Sequence, residues 1–127
     1  MNDTLWLLML LFTKHFVVDF PLQNRFQYAN KGTYLHPGGL LHASLHGLTT
    51  MICVWFFGPM ASVFLGWIDG IVHYHIDWAK MNWGNRDIQN PKFWNHLGLD
   101  QMAHQLTYII FMAWMFSLTC PEFISLA

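Results

Sequence analysis

Four pairs of ionisable side chains recur along the chain at helical spacing: His15/Asp19, His42/His46, His73/Asp77 and Asp100/His104. Four residues along an α-helix return about 40° past a full turn, so both members of each pair share one face. Imidazole and carboxylate together suit zinc, and also manganese or iron. If the pairs converge, Asp19, Asp77 and Asp100, with Asp69 as a fourth carboxylate, share one small space. Like charges at that density cannot all stay ionised unless something positive joins them. One or two divalent cations would balance them.

One tetrahedral zinc takes at most four protein ligands. Eight candidates therefore imply two ions side by side, or a division between ligands and orienting or acid–base groups. A two-metal site clamps phosphoryl oxygens and activates a water, which points to hydrolysis of a phosphate ester or related bond. Asp19, Asp77 and Asp100 are then the candidate bases, and Lys80 a holder of substrate phosphate. Gln23 and Gln101 are neutral groups for substrate or for water on the metal, or simple polar caps. The competing reading is a protein-only network in which each His bonds a neighbouring Asp, with Lys14 or Lys80 as counter-ion. Asp69, one turn deeper than His73, either orients it or makes a polar contact between helices.

The spacing between pairs is itself regular. His15 to His73, Asp19 to Asp77, His42 to Asp100 and His46 to His104 are each 58 positions apart, and Leu48/Leu106 and Thr49/Thr107 coincide at the same offset. The chain reads as two tandem helical hairpins, about 4–57 and 60–119, related by an axis along a membrane normal.

The elements that must position these groups are four apolar runs, at roughly 4–20, 39–57, 60–80 and 97–119. Pro21 ends the first, Pro37-Gly38-Gly39 opens the second, Gly58-Pro59 separates the second from the third, and Pro121 ends the fourth. The pairs then lie at the C-terminal ends of the first and third helices and the N-terminal ends of the second and fourth. Antiparallel neighbours bring those ends to one depth. The expected fold is all-α: a single-domain, integral-membrane four-helix bundle.

Composition agrees with a membrane setting. Of 127 residues, 54% are hydrophobic and only 10% charged, against about 25% charged in an average soluble domain. A disordered chain and a nucleic-acid binder are excluded on that ground. Each run is near the ~20 residues that a bilayer requires. The mean hydropathy of +0.29 is modest because every run carries ionisable residues. An Asp at mid-bilayer costs about 2.5–3.5 kcal/mol to insert, so such residues face the bundle interior. The N-terminus lacks a basic region and a small-residue cleavage site, and the first run is read as retained.

Lys14, Arg25, Lys31, Lys80, Arg86 and Lys92 lie at or within two loops, 21–38 and 81–96. Short basic loops stay cytoplasmic. The expectation is a cytoplasmic-membrane protein with both termini outside and the polar site inside. Trp83, Phe93 and Trp94 would form an interfacial belt there.

Several named chemistries have no motif here. H-E-x-x-H, G-x-S-x-G and a Walker sequence are absent. The single Glu, Glu122, cannot build a Glu-x-x-His di-iron pattern. Ser44 lies on another face from His42 and His46. Haem between facing histidines leaves the paired aspartates unexplained. Cys53 and Cys120 form no C-x-x-C, and Cys53 reads as a small core residue. His75 faces away from His73, and His36 and His96 sit in loops without a role.

The ordered motifs His15-x-x-x-Asp19-Phe20-x-Leu22-Gln23, His42-x-x-x-His46, His73-x-x-x-Asp77-x-x-Lys80 and Asp100-Gln101-x-x-His104 resemble a family of small bacterial and phage membrane proteins, domain-of-unknown-function family 3307. The resemblance spans nearly the whole chain. It implies an integral-membrane helical protein with a polar cluster and implies no reaction. A weaker likeness to membrane-bound metal-dependent hydrolases is an analogy. The functional expectation is a metal-dependent hydrolase acting on an amphiphilic or phosphorylated small substrate, with room for a homodimer. The alternatives are a metal or proton transporter and a phage-type interaction effector with a structural cluster.

Overall fold

Proline, glycine and side-chain caps set the helix boundaries. In the computed structural model, which describes residues 3–119, α1 (Asp3–Asp19) stops two residues before Pro21. A short α2 (Arg25–Tyr28) follows, opened by Asn24. Its side chain accepts from the Gln27 N–H, while the Gln27 side chain accepts from the Asn24 N–H. α3 (Pro37–Val54) begins with proline in its first turn and with His36 Nδ1 accepting from the Gly38 N–H at 3.0 Å. It tightens into one 3₁₀ turn, Trp55–Phe57. Gly58, at φ +156°, reverses the chain into α4 (Pro59–Trp83).

α5 (Pro91–Thr119) starts six residues earlier than its apolar run. Asn90 supplies the reason: its Oδ1 accepts from the Lys92 N–H at 3.0 Å, and Pro91 follows it. Phe93, Trp94 and His96, expected in a loop, are therefore helical, and the α4–α5 connection shrinks to 84–90. The end expected at Pro121, and Cys120, lie outside the described residues.

No strand occurs among the described residues. α1 packs on α3 and α5, and α4 packs on α3 and α5; across the diagonal, α1 and α4 meet through side chains alone. The four long helices thus form a ring of antiparallel neighbours, the connection expected of short loops. α3 and α4 approach most closely. A Cβ on Gly47 would lie 2.6 Å from the Gly66 carbonyl oxygen, and one on Gly66 would lie 2.7 Å from that of Gly47. Only hydrogen fits at that crossing.

The interior has two layers. Toward the Gly58 turn it is apolar, built from Leu7, Leu11, Val54, Leu65, Tyr108, Phe111 and Met112. Toward the two connectors it is polar. The exterior is the reverse of a soluble domain: Trp6, Leu10, Phe16, Leu48, Ile52, Phe64, Trp67, Ile71, Leu106 and Ile110 are all exposed. Among the described residues one helical stretch, Pro37–Phe57, is long and apolar enough to cross a membrane by length and composition. The expectation of four such runs narrows to that one, because α1 is 17 residues long and α4 carries Asp69, Asp77 and Lys80. Burial also follows the 58-residue offset: Leu7/Leu65, Leu11/Asp69, His15/His73, Asp19/Asp77, His42/Asp100, His46/His104, Thr50/Tyr108 and Val54/Met112 are all buried.

Candidate functional site

All eight members of the four pairs meet in the polar layer, none more than 5% exposed. His15 and Asp19 close α1, His42 and His46 occupy early turns of α3, His73 and Asp77 face inward from α4, and Asp100 and His104 from α5. The extra N-terminal turns of α5 put Asp100 further from its helix start than expected, yet at the depth of the other three pairs.

Asp19, His42, His46 and His73 form the tightest group. Asp19 Oδ1 lies 3.0 Å from His42 Nε2, 3.4 Å from His46 Nε2 and 3.6 Å from His73 Nε2. His42 Nε2 and His73 Nε2 are 3.0 Å apart. Two imidazole nitrogens at that separation cannot both carry a proton. A zinc ion held tetrahedrally at 2.0–2.1 Å sets its ligand atoms about 3.3–3.4 Å apart. The separations here bracket that value.

Asp77, Asp100 and His104 form a neighbouring group. His104 Nε2 is 3.6 Å from Asp100 Oδ1 and 3.9 Å from Asp77 Oδ1. Asp77 links the two groups, because its Oδ2 faces His73 Nε2 at 3.1 Å and His42 Nε2 at 3.4 Å. His15 bridges from the side. Its Nε2 is 3.2 Å from Asp19 Oδ2 and from Gln101 Oε1, and its Nδ1 is 3.2 Å from the Tyr108 hydroxyl. Gln101 ties α5 to α1 by donating to Asp19 Oδ2 at 3.1 Å.

Several buried atoms here have no hydrogen-bond partner among the described residues: Nδ1 of His42, His46 and His73, Nε2 of His46 and His104, and Asp100 Oδ1. Leaving a buried polar group unpaired costs about 1–3 kcal/mol. A bound ion among Asp19, His42, His46 and His73 would take up His46 Nε2.

Lys14 and Lys80 meet aspartates as the protein-only network expects, and Lys31 departs from its loop to join them. Lys14 and Lys31 are buried, and Lys80 is half-buried. Lys14 Nζ lies 2.6 Å from Asp69 Oδ2 and donates to the His46 carbonyl oxygen at 3.2 Å. Thr50 Oγ1 donates to the same Asp69 oxygen at 2.6 Å. Asp69 therefore holds Lys14 and Thr50 and does not orient His73, since two donors on other helices reach it first. Lys80 Nζ is 3.2 Å from Asp100 Oδ2. Lys31, which sequence reasoning left among the loop cations, is 7% exposed, with Nζ 2.8 Å from Asp77 Oδ2 and 3.6 Å from Asp19 Oδ1. Arg25, Arg86 and Lys92 remain exposed in or beside the connectors.

The remaining candidates divide cleanly. Gln23 donates to the Asp19 backbone carbonyl and so caps α1. His96 Nδ1 accepts from the Asn85 N–H at 2.6 Å and closes the 84–90 connection. His75 is exposed and donates to its own helix at Ile71. Ser44 is exposed on the outer face of α3. Tyr108, Thr50 and Lys31 were not singled out in the sequence. Tyr108 and Thr50 continue the i,i+4 series from His104 and His46 and were legible in that spacing.

A crevice of about 330 Å³ between α4 and α5, lined by Ile76, Ala79, Lys80, Leu99, Asp100 and Ala103 among others, opens onto the Lys80–Asp100 pair. No curated protein and no solved structure matches the chain. The family described as "Protein of unknown function (DUF3307)" matches residues 7–126, and the chain belongs to that family.

Proposed function

We propose that this protein is an integral-membrane, metal-dependent hydrolase of phosphate esters or related bonds. The observation that carries the reading is the convergence of Asp19, His42, His46 and His73, from three helices, all buried and with ligand atoms within 4.8 Å of one another. Those four residues are assigned as ligands of a divalent ion. Zinc is the first choice for three imidazoles and a carboxylate, with manganese or iron next. A metal held by these residues would supply Lewis-acid polarisation of the scissile bond and a more acidic water.

The protein supplies the rest. Asp77 and Asp100 stand beside the ligand group and are assigned as acceptors of the water's proton. His15, held by Tyr108 and Gln101, fixes the Asp19 carboxylate. Lys80 is placed at the mouth of the α4–α5 crevice to receive an anionic group. The apolar exterior supports a four-helix bundle in the bilayer, built from two hairpins whose buried positions repeat at the 58-residue offset. Arg25, Arg86 and Lys92 support a cytoplasmic face for the connectors and termini outside.

A second reading is favoured by the ion pairs. Lys14, Lys31 and Lys80 already meet four aspartates, as in a cluster built for transport of a metal or proton, or for structure alone. The test is turnover of p-nitrophenyl phosphate and of short-chain phosphatidic acid by the full chain in detergent, stripped and then reloaded with zinc or manganese. The hydrolase reading expects metal-dependent release of phosphate, abolished by Asp100→Asn in a folded protein. No turnover, with zinc flux into liposomes instead, would favour the transporter.

A further inference from the structure

The charges of the polar layer balance one divalent ion more closely than two. Lys14 and Asp69 balance each other one turn deeper, at 2.6 Å. Around the histidines remain Asp19, Asp77 and Asp100 against Lys31 and Lys80. With neutral imidazoles that set carries one net negative charge. One divalent ion turns it to a single positive charge, and two would leave three positive charges in a closed, low-dielectric space.

Lys31 is built into that space. It does not come from a bundle helix but from the connector between α2 and α3. Its ammonium is more than nine-tenths buried and sits on Asp77 Oδ2, the carboxylate that links the two candidate groups. The backbone that carries it is strapped down. Asn82 Nδ2 donates to the Gly32 carbonyl oxygen at 2.9 Å, and the Leu35 N–H donates to the Tyr74 hydroxyl at 2.5 Å. Leu35 holds a left-handed backbone, φ +57°, to make that turn. A flexible surface lysine needs no such fixings.

We propose that Lys31 takes the place of a second metal ion, so that the chamber holds one divalent cation at Asp19, His42, His46 and His73, while Asp77, Asp100 and His104 stay metal-free. The inference rests on the metal reading above and adds the stoichiometry and the residue that sets it. His104 Nε2 and Asp100 Oδ1, unpartnered and buried, make the empty group competent for an ion once the ammonium is gone.

The experiment is zinc counting on the full chain in detergent, stripped with chelator, reloaded with zinc, dialysed and measured by elemental analysis. One zinc per chain is expected for the natural sequence and for Lys31→Arg, and two for Lys31→Ala. Lys31→Gln, of similar reach and no charge, gives the same expectation if the alanine variant does not fold. Anomalous diffraction from zinc-loaded crystals of the natural sequence should show one peak, among Asp19, His42, His46 and His73. Two zincs in the natural sequence, a peak between Asp77, Asp100 and His104, or a single zinc in the uncharged Lys31 variants would overturn the role of Lys31 and leave the metal reading standing. No zinc in the natural sequence would overturn both.

Discussion

At the scale of the residue, the aspartates do three different jobs that their sequence spacing does not distinguish. Asp19 gathers four imidazoles, Asp77 links the two side-chain groups, and Asp69 neutralises Lys14 away from both. Breaking a buried ion pair on one side strands a charge, at a cost of about 3–5 kcal/mol. Lys14→Met alone should therefore lower the thermal midpoint sharply, and Lys14→Met with Asp69→Leu should recover much of the loss. Equal destabilisation by the single and double variants, measured by scanning fluorimetry in one detergent, would contradict the pairing. His75→Ala should leave metal content unchanged, because that ring lies outside the polar layer, bonded to its own helix at Ile71 and set edge-on to Tyr34. The i,i+4 pairs and their inward direction were legible in the sequence, since helical spacing alone fixes which side chains share a face. The Lys31–Asp77 contact was not. It joins residues from a connector and a helix, and no periodicity reports where a loop side chain reaches.

At the scale of the element, α3 and α4 are the pair on which the site depends, because His42, His46, His73 and Asp77 all hang from them. Their crossing is set by Gly47 and Gly66. Gly66→Ala would place a methyl 2.7 Å from the Gly47 carbonyl oxygen, and overpacking of this kind costs about 1–3 kcal/mol. The expected outcome is a lower thermal midpoint together with weaker zinc binding, as the helices separate and the imidazoles move off their ligand distances. Gly98→Ala, on α5 with open space around it, should be neutral or slightly stabilising. Helix existence was readable from the apolar runs. The early start of α5 is signalled by Asn90-Pro91, and the apolar run beginning near residue 97 masks it.

At the scale of the whole molecule, the distribution of polarity is inverted: ionisable groups line the interior and aromatic and aliphatic side chains cover the outside. Single cysteines at Arg25 and Arg86, on a background free of Cys53 and Cys120, report the orientation directly. Both should resist an impermeant maleimide in intact cells and react in inverted vesicles; labelling from outside would reverse the topology. The proposed ion would sit at Asp19, His42, His46 and His73, within the four pairs of side chains. Elemental analysis of the purified protein, stripped and reloaded, tests it most directly. The expected result is a stoichiometric transition metal that is lost in His46→Ala while the helical circular dichroism persists. Less than half an equivalent of any transition metal after reloading would contradict it.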